Sequence, residues 1–188
     1  RREREDSLAI TSNYILMCIE VCKRRFIPYI VAPVEADSQV CRHDKLATAV
    51  CRDSDELAYE LPKVVIVDSY FKEMYRYFDM TLPVTDEIKK KYPLYHYRHQ
   101  YGVKIFHWWA AVMGCDITKE KSGMLHAGRK AFLSALASFD DKPSPTAATF
   151  AKALRSHCGL LVKVRYSSAT MQKELERVSD WFLHLYKN

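Results

Sequence analysis

The chain has 188 residues, of which 48% are hydrophobic and 28% are charged, a balance typical of a folded globular domain with or without an appendage. This composition excludes a wholly disordered chain, and no apolar run approaches the roughly 20 residues that a membrane span needs. The formal net charge of +6 favours a polyanionic partner, although a surplus of surface lysines explains it equally well. Six cysteines without a disulfide-like rhythm predict an intracellular, reducing compartment.

Short apolar runs and helical periodicity predict an α/β layer with parallel strand pairing. The strands are predicted at Phe26–Ala32, Thr48–Cys51 and Lys63–Asp68. The helices are predicted at Ser7–Cys22, Glu35–Arg42, Val103–Met113, Lys119–Leu136, Thr146–Leu154 and Met171–Tyr186. Cys18 and Cys22 lie four positions apart in the first of these helices, and we expect them in a core. The segment Phe71–Tyr101 is expected to be irregular.

Acidic residues follow two of the predicted strands and one predicted helix. Glu35 and Asp37 follow the first strand, Asp53 and Asp55 the second, and Asp116 comes after the helix. Ligands of open α/β sheets bind outside the carboxyl ends of the strands, and converging carboxylates suit hard divalent cations such as Mg²⁺. One pair alone is better explained as a helix N-terminal cap, but three such clusters favour a metal site.

Three segments resemble, in order, motifs of the flap endonuclease and XPG family of structure-specific 5′ nucleases. PYIVAPVEADSQV, residues 28–40, is similar to the family's internal motif. RDSDELAYELPKVVIVD, residues 52–68, resembles its Asp-Ser-Asp turn and following strand, and AVMGCD, residues 111–116, resembles its Gly-Ser-Asp motif. The resemblance covers residues 28–116, over half of the chain.

The resemblance implies a PIN-like α/β/α core with a mostly parallel sheet and two Mg²⁺ ions, for which Mn²⁺ would substitute. Glu35 and Asp37 would serve the first metal ion, and Asp53, Asp55 and Asp116 would surround the second. Such enzymes cut DNA or RNA near 5′ ends or single-strand/duplex junctions, and the resemblance favours a nuclear location.

This sequence also differs from the family pattern at several positions. Five of the family's seven acids are found here, and the other two aspartates belong to an N-terminal half that precedes the internal motif. Residue 1 is arginine rather than methionine, so we expect the chain to be part of a longer protein that contains this half. The alternative is a reduced, inactive relative. Glu60 stands where the family commonly has glycine, and the link from Glu35 to Asp53 is shorter than usual.

The expected domains are a nuclease core at residues 1–117 and a helical, helix–two-turn–helix-like region at residues 118–188. A set of basic residues and glycines in the second region is expected to bind the nucleic-acid backbone: Lys119, Lys121, Gly123, Gly128, Arg129 and Lys130. Each cation is also explained as a solvated surface residue. The spacing of the two glycines is wider than in the family's K⁺-binding hairpin, which puts K⁺ binding in doubt.

Aromatic residues near the middle of the chain allow two interpretations. In KKKYPLYHYRHQY, residues 89–101, basic residues are interleaved with aromatic residues, as in a surface on which the bases of a single strand stack. Tyrosines packed on a core explain the pattern equally well. Trp108 and Trp109 are expected in the core, and His107, His126 and His157 are expected to be ordinary structural residues.

The sequence therefore predicts a Mg²⁺-dependent, structure-specific nuclease that hydrolyses phosphodiester bonds by a two-metal mechanism. The main alternative is a catalytically reduced PIN-like module that acts as an RNA- or protein-binding scaffold. A phosphatase or other metal hydrolase on a similar sheet has only the acids in its favour.

Overall fold

A computed structural model gives the fold and describes residues 12–32, 36–41, 48–52, 54–69, 74–115, 118 and 127–187. The chain divides into two compact units, Arg1–Ala36 and Asp37–Asn188.

The described part of the first unit contains a helix followed by an irregular segment. Helix α1, Ser12–Arg24, ends in Lys23 and Arg24, as the helix dipole favours. The strand predicted at Phe26–Ala32 is wrong, because these residues have no strand partner among those described and most of their apolar side chains are exposed. A strand needs a hydrogen-bonded neighbour, which an apolar run alone does not provide. Cys18 is exposed and Cys22 half-buried, so their predicted place in a core is also wrong.

The second unit contains a mixed sheet of three strands within the described residues. Strand β1, Ala49–Cys51, pairs in parallel with β2, Lys63–Ser69, and both confirm predicted strands. Strand β3, Met74–Asp79, pairs antiparallel with β2, with Val65 opposite Tyr77. The expected sheet was mostly parallel, whereas half of the observed pairings are antiparallel. The α/β class is confirmed at this coarser level.

The helices after α1 confirm most of the predicted ones. Within the described residues they are α2 Ala36–Cys41, α3 Asp86–Lys91, α4 Pro93–Tyr101, α5 Lys104–Met113, α6 Gly128–Ala137, α7 Ala147–His157, α8 Leu160–Arg165 and α9 Ser168–Lys187. A 3₁₀ turn, Asp55–Ala58, lies between β1 and β2. The segment expected to be irregular instead holds β3, α3 and α4. Across the described stretches, no helix is both long enough and apolar enough to span a bilayer.

A single hydrophobic core joins the sheet to helices α5, α6, α7 and α9. At its centre the Trp108 ring stacks on Phe150 at 4.9 Å, and Phe132 meets Phe150 edge-on at 5.1 Å. Trp108 is thus a core residue as predicted, whereas Trp109 is only partly buried. The expected domain boundary at residue 117 stays a prediction. Buried side chains from both sides of that position contribute to this one core.

Candidate functional site

The parallel pair β1–β2 fixes the sheet edge from which the candidate acidic turn begins. Cys51, the last residue of β1, pairs with Ile66, and β2 continues to Ser69, so the two carboxyl ends lie at the same edge. The chain that leaves β1 there continues through Ser54 into the 3₁₀ turn, which begins at Asp55. Ligands of α/β sheets bind beyond such an edge, so this is where a site is expected.

Two buried side chains hold the backbone of the 3₁₀ turn. The Arg98 guanidinium donates from Nε to the Leu57 carbonyl at 3.2 Å and from Nη2 to the Tyr59 carbonyl at 2.8 Å. The His107 ring nitrogen Nε2 lies 2.7 Å from the carbonyl oxygen of Ala58, between those two. Three consecutive carbonyls are therefore satisfied from the protein interior, and the turn directly after Asp55 is fixed in place.

His107 is neutral in the folded protein. Burial lowers the pKa of His107 to about 4 from its ordinary 6.5. Because a carbonyl oxygen can only accept, Nε2 carries the proton, and within the described structure the buried Nδ1 has no hydrogen-bond partner. The ring stacks on Phe182 of α9 at 4.9 Å and 7° between planes. The expectation of an ordinary structural histidine is correct for its role as a support, although nothing in the sequence indicated the turn that it supports.

A carboxylate at the end of β2 is already paired. Arg76 of β3 donates from Nε and Nη2 to the two oxygens of Asp68, each at 2.8 Å. These hydrogen bonds hold the pKa of Asp68 below its ordinary value. The pair links β2 to β3 at the carboxyl edge of β2, and sequence reasoning missed it because β3 itself was not predicted.

A groove runs from the acidic turn along β3 and the start of α4. Its larger cavity, about 450 Å³, is lined by Ser54 at one side and by Arg129 and Trp109 at others. A smaller cavity of about 370 Å³ shares with it Arg76, Phe78, Tyr92 and Tyr95. We call the two cavities together the β3–α4 groove. Ser54 stands between the two candidate aspartates in sequence.

Most of the predicted metal ligands cannot be located. Glu35, Asp53 and Asp116 lie outside the described residues, and only the backbone of Asp37, in α2, and of Asp55, in the 3₁₀ turn, is described. Among the residues that the structure describes, no group of three or more His, Cys, Asp or Glu could hold a metal ion. The predicted convergence of these five carboxylates stays a prediction.

Half of the predicted nucleic-acid contacts can be located. Lys119, Lys121 and Gly123 lie outside the described residues. Gly128 begins α6 with φ +68°, a left-handed conformation that favours glycine. Arg129 and Lys130 follow on the exposed first turn, and of these two only Arg129 lines the groove.

The tyrosine-rich segment divides between the two interpretations. Tyr95, Tyr97 and Tyr101 are buried, and the Tyr101 hydroxyl donates to the Phe139 carbonyl at 2.6 Å, as the core interpretation predicts. Tyr92, between α3 and α4, is instead 41% exposed and lines both cavities. Trp109 lines the same larger cavity, and the stacking interpretation stays a prediction for Tyr92.

Searches of protein-family models, of curated proteins and of solved structures find no match for this chain.

Proposed function

We propose that the protein is a Mg²⁺-dependent, structure-specific nuclease that hydrolyses phosphodiester bonds in DNA or RNA near 5′ ends or strand junctions, built on a PIN-like α/β/α core. The observation that carries the proposal is the supported acidic turn. The Asp53–Asp55 segment follows β1 in sequence, at the carboxyl end of a parallel pair, and Arg98 and His107 hold the backbone two to four residues after Asp55. Metal ligands need such rigid support, because loosely held carboxylates lose affinity and catalytic geometry.

The donor set fits Mg²⁺. Glu35, Asp37, Asp53, Asp55 and Asp116 offer only carboxylate oxygens, which hard divalent cations prefer, and no thiol or imidazole belongs to the set. Bound Mg²⁺ would supply activation of a water nucleophile and stabilisation of the leaving oxygen. The protein's own share of the work is to hold these ligands, orient the strand and bind its phosphates.

The β3–α4 groove favours a nucleic-acid partner whether or not the strand is cut. Its larger cavity is lined by Arg76, Lys91 and Arg129, and no acid occurs among its described lining residues. The same observation supports the second candidate function, a catalytically reduced module that binds nucleic acid without hydrolysing it. The two candidate functions differ only in whether the acidic residues bind Mg²⁺ and support hydrolysis.

The test is cleavage of labelled 5′-flap, single-stranded and blunt duplex substrates by the full-length gene product, in Mg²⁺ and in EDTA. Asp55→Asn removes one candidate ligand charge, and Asp180→Asn, on the exposed surface of α9, is the matched control. We expect Mg²⁺-dependent cutting that Asp55→Asn abolishes and Asp180→Asn leaves unchanged. Intact substrates under every condition, with binding retained, would instead establish the second candidate.

A further inference from the structure

The two cavities of the β3–α4 groove are adjacent. Arg76, Phe78, Tyr92 and Tyr95 line both of them. Their volumes, about 450 and 370 Å³, each match the size of small-molecule sites. Two neighbouring cavities of this size suit a chain of small units better than a single compact ligand.

The larger cavity is lined by two cations, Lys91 and Arg129, that form no ion pair with a described residue. Arg76 is committed to Asp68 through two hydrogen bonds. Lys91 ends α3 and Arg129 begins α6, so the two charges reach the cavity from different elements. Such a cavity attracts an anion.

Flat aromatic surfaces line the same cavity. The Lys91 ammonium lies 5.3 Å from the centre of the Tyr92 ring, which is 41% exposed. The Trp109 indole contacts Phe132 edge-on at 5.1 Å, which fixes the orientation of its ring. Rings beside cations bind planar groups that carry negative charge, and a nucleotide combines both properties.

We propose that the β3–α4 groove binds unpaired nucleotides of a single strand, with bases stacked on Tyr92 and Trp109 and phosphates held by Lys91 and Arg129. Bases in a duplex have both faces covered by their neighbours, so stacking on these rings requires unpaired bases. The inference rests on the proposed function for its nucleic-acid partner. It adds the place where the unpaired strand is held, the larger cavity that Ser54 also lines.

Binding without cleavage tests the inference. The probe is a fluorescent single-stranded oligonucleotide of about 12 nucleotides, compared with a blunt hairpin duplex of the same length. The full-length protein is titrated by fluorescence anisotropy in EDTA, over a series of salt concentrations. Cleavage in Mg²⁺ is measured separately, so that failure of the proposed function and failure of the groove give different results.

Two variants separate charge from stacking. Lys91→Ala with Arg129→Ala is expected to weaken single-strand binding at least tenfold and to reduce the salt slope by about 1.4, since each phosphate contact contributes about 0.7 for single strands. Tyr92→Leu is expected to weaken binding about tenfold with the salt slope unchanged. Lys152→Ala with Lys173→Ala removes the same charge from exposed positions on α7 and α9 and is expected to bind as the wild type does.

Three outcomes overturn the inference: duplex bound as tightly as single strand, groove variants that bind like the Lys152/Lys173 control, or no single-strand binding at all. Circular dichroism melts of each variant establish that it is folded, which is expected because Lys91, Tyr92 and Arg129 are all exposed. Loss of Mg²⁺-dependent cutting with groove binding intact contradicts only the nuclease proposal.

Discussion

Acidification should destabilise the protein through His107, the ring that holds the Ala58 carbonyl behind the acidic turn. In the unfolded chain this imidazole titrates at its ordinary value of 6.5, whereas burial lowers its pKa in the folded protein to about 4. Between these two values the unfolded state binds a proton that the folded state does not. Stability contributed by neutral His107 is therefore complete above about pH 6.5 and is lost as the pH falls toward 4.

The magnitude follows from the two pKa values. At about pH 5, one and a half pH units below the unfolded pKa and one above the folded pKa, the loss is about 2 kcal/mol at 1.36 kcal/mol per unit. At about pH 7.5 the loss is negligible. That difference is a large share of the stability of a typical domain.

The assay is urea unfolding followed by tryptophan fluorescence at both pH values, for the wild type and two variants. His107→Gln keeps a side-chain donor near Ala58 but cannot be protonated, so we expect its loss of stability on acidification to be about 2 kcal/mol smaller than that of the wild type. His157→Gln, exposed at the end of α7, is the matched control and should follow the wild type. Equal pH dependence of the wild type and His107→Gln would refute the assignment of a buried neutral imidazole.

Three further perturbations test other parts of the structure. Arg98→Met should lower the free energy of unfolding by about 3 kcal/mol, since two buried carbonyls lose their donor, and urea unfolding unchanged by the substitution would contradict the support of the turn. Gly128→Ala should lower the free energy of unfolding by about 1 kcal/mol because of the backbone φ of +68° alone, since an added Cβ meets no atom within 4 Å. A thermal melt equal to that of the wild type would argue against the left-handed conformation. Asp79, whose pKa the Thr81 hydroxyl lowers to about 2, should keep its charge in moderate acid, so that its stability contribution, complete above about pH 4, is lost progressively as the pH falls to 2. Thr81→Val should raise that pKa, as carboxyl-carbon NMR titration would measure, and an unshifted titration would refute the hydrogen bond.

Local sequence signals predicted the elements whose stability is local or whose neighbours are close in sequence. β1 and β2 were found because each is a short apolar run with polar residues at its ends. Phe26–Ala32 has the same signal without a partner strand, and no residue in the run itself reveals that difference. β3 was missed because its residues lack an apolar run and no Gly, Asn or Pro marks a turn between Ser69 and Met74.

Of the candidate site, only the acidic residues could be predicted from the sequence. An acidic pair after an apolar run indicates a position beyond a strand, and the strand is where it was expected. The supports of that turn come from tertiary structure: Arg98 and His107 lie about 40 to 50 positions further along the chain from the carbonyls they bind. No spacing rule connects such residues. The sequence indicated the aromatic residues near the groove but not which of them line it. Tyr92 differs from the tyrosines that follow it only in its exposure, which depends on the tertiary structure.

The aromatic contacts of Phe182 have a consequence for the order of folding. This ring, on the last described helix, stacks on His107 and meets Tyr59 edge-on at 5.6 Å. During synthesis Tyr59 leaves the ribosome long before Phe182 does, and contacts so distant in sequence form late. A nascent chain therefore carries its acidic turn without the final support. The ring contacts of Phe182 with His107 and Tyr59 are therefore expected to be the last part of this support to form.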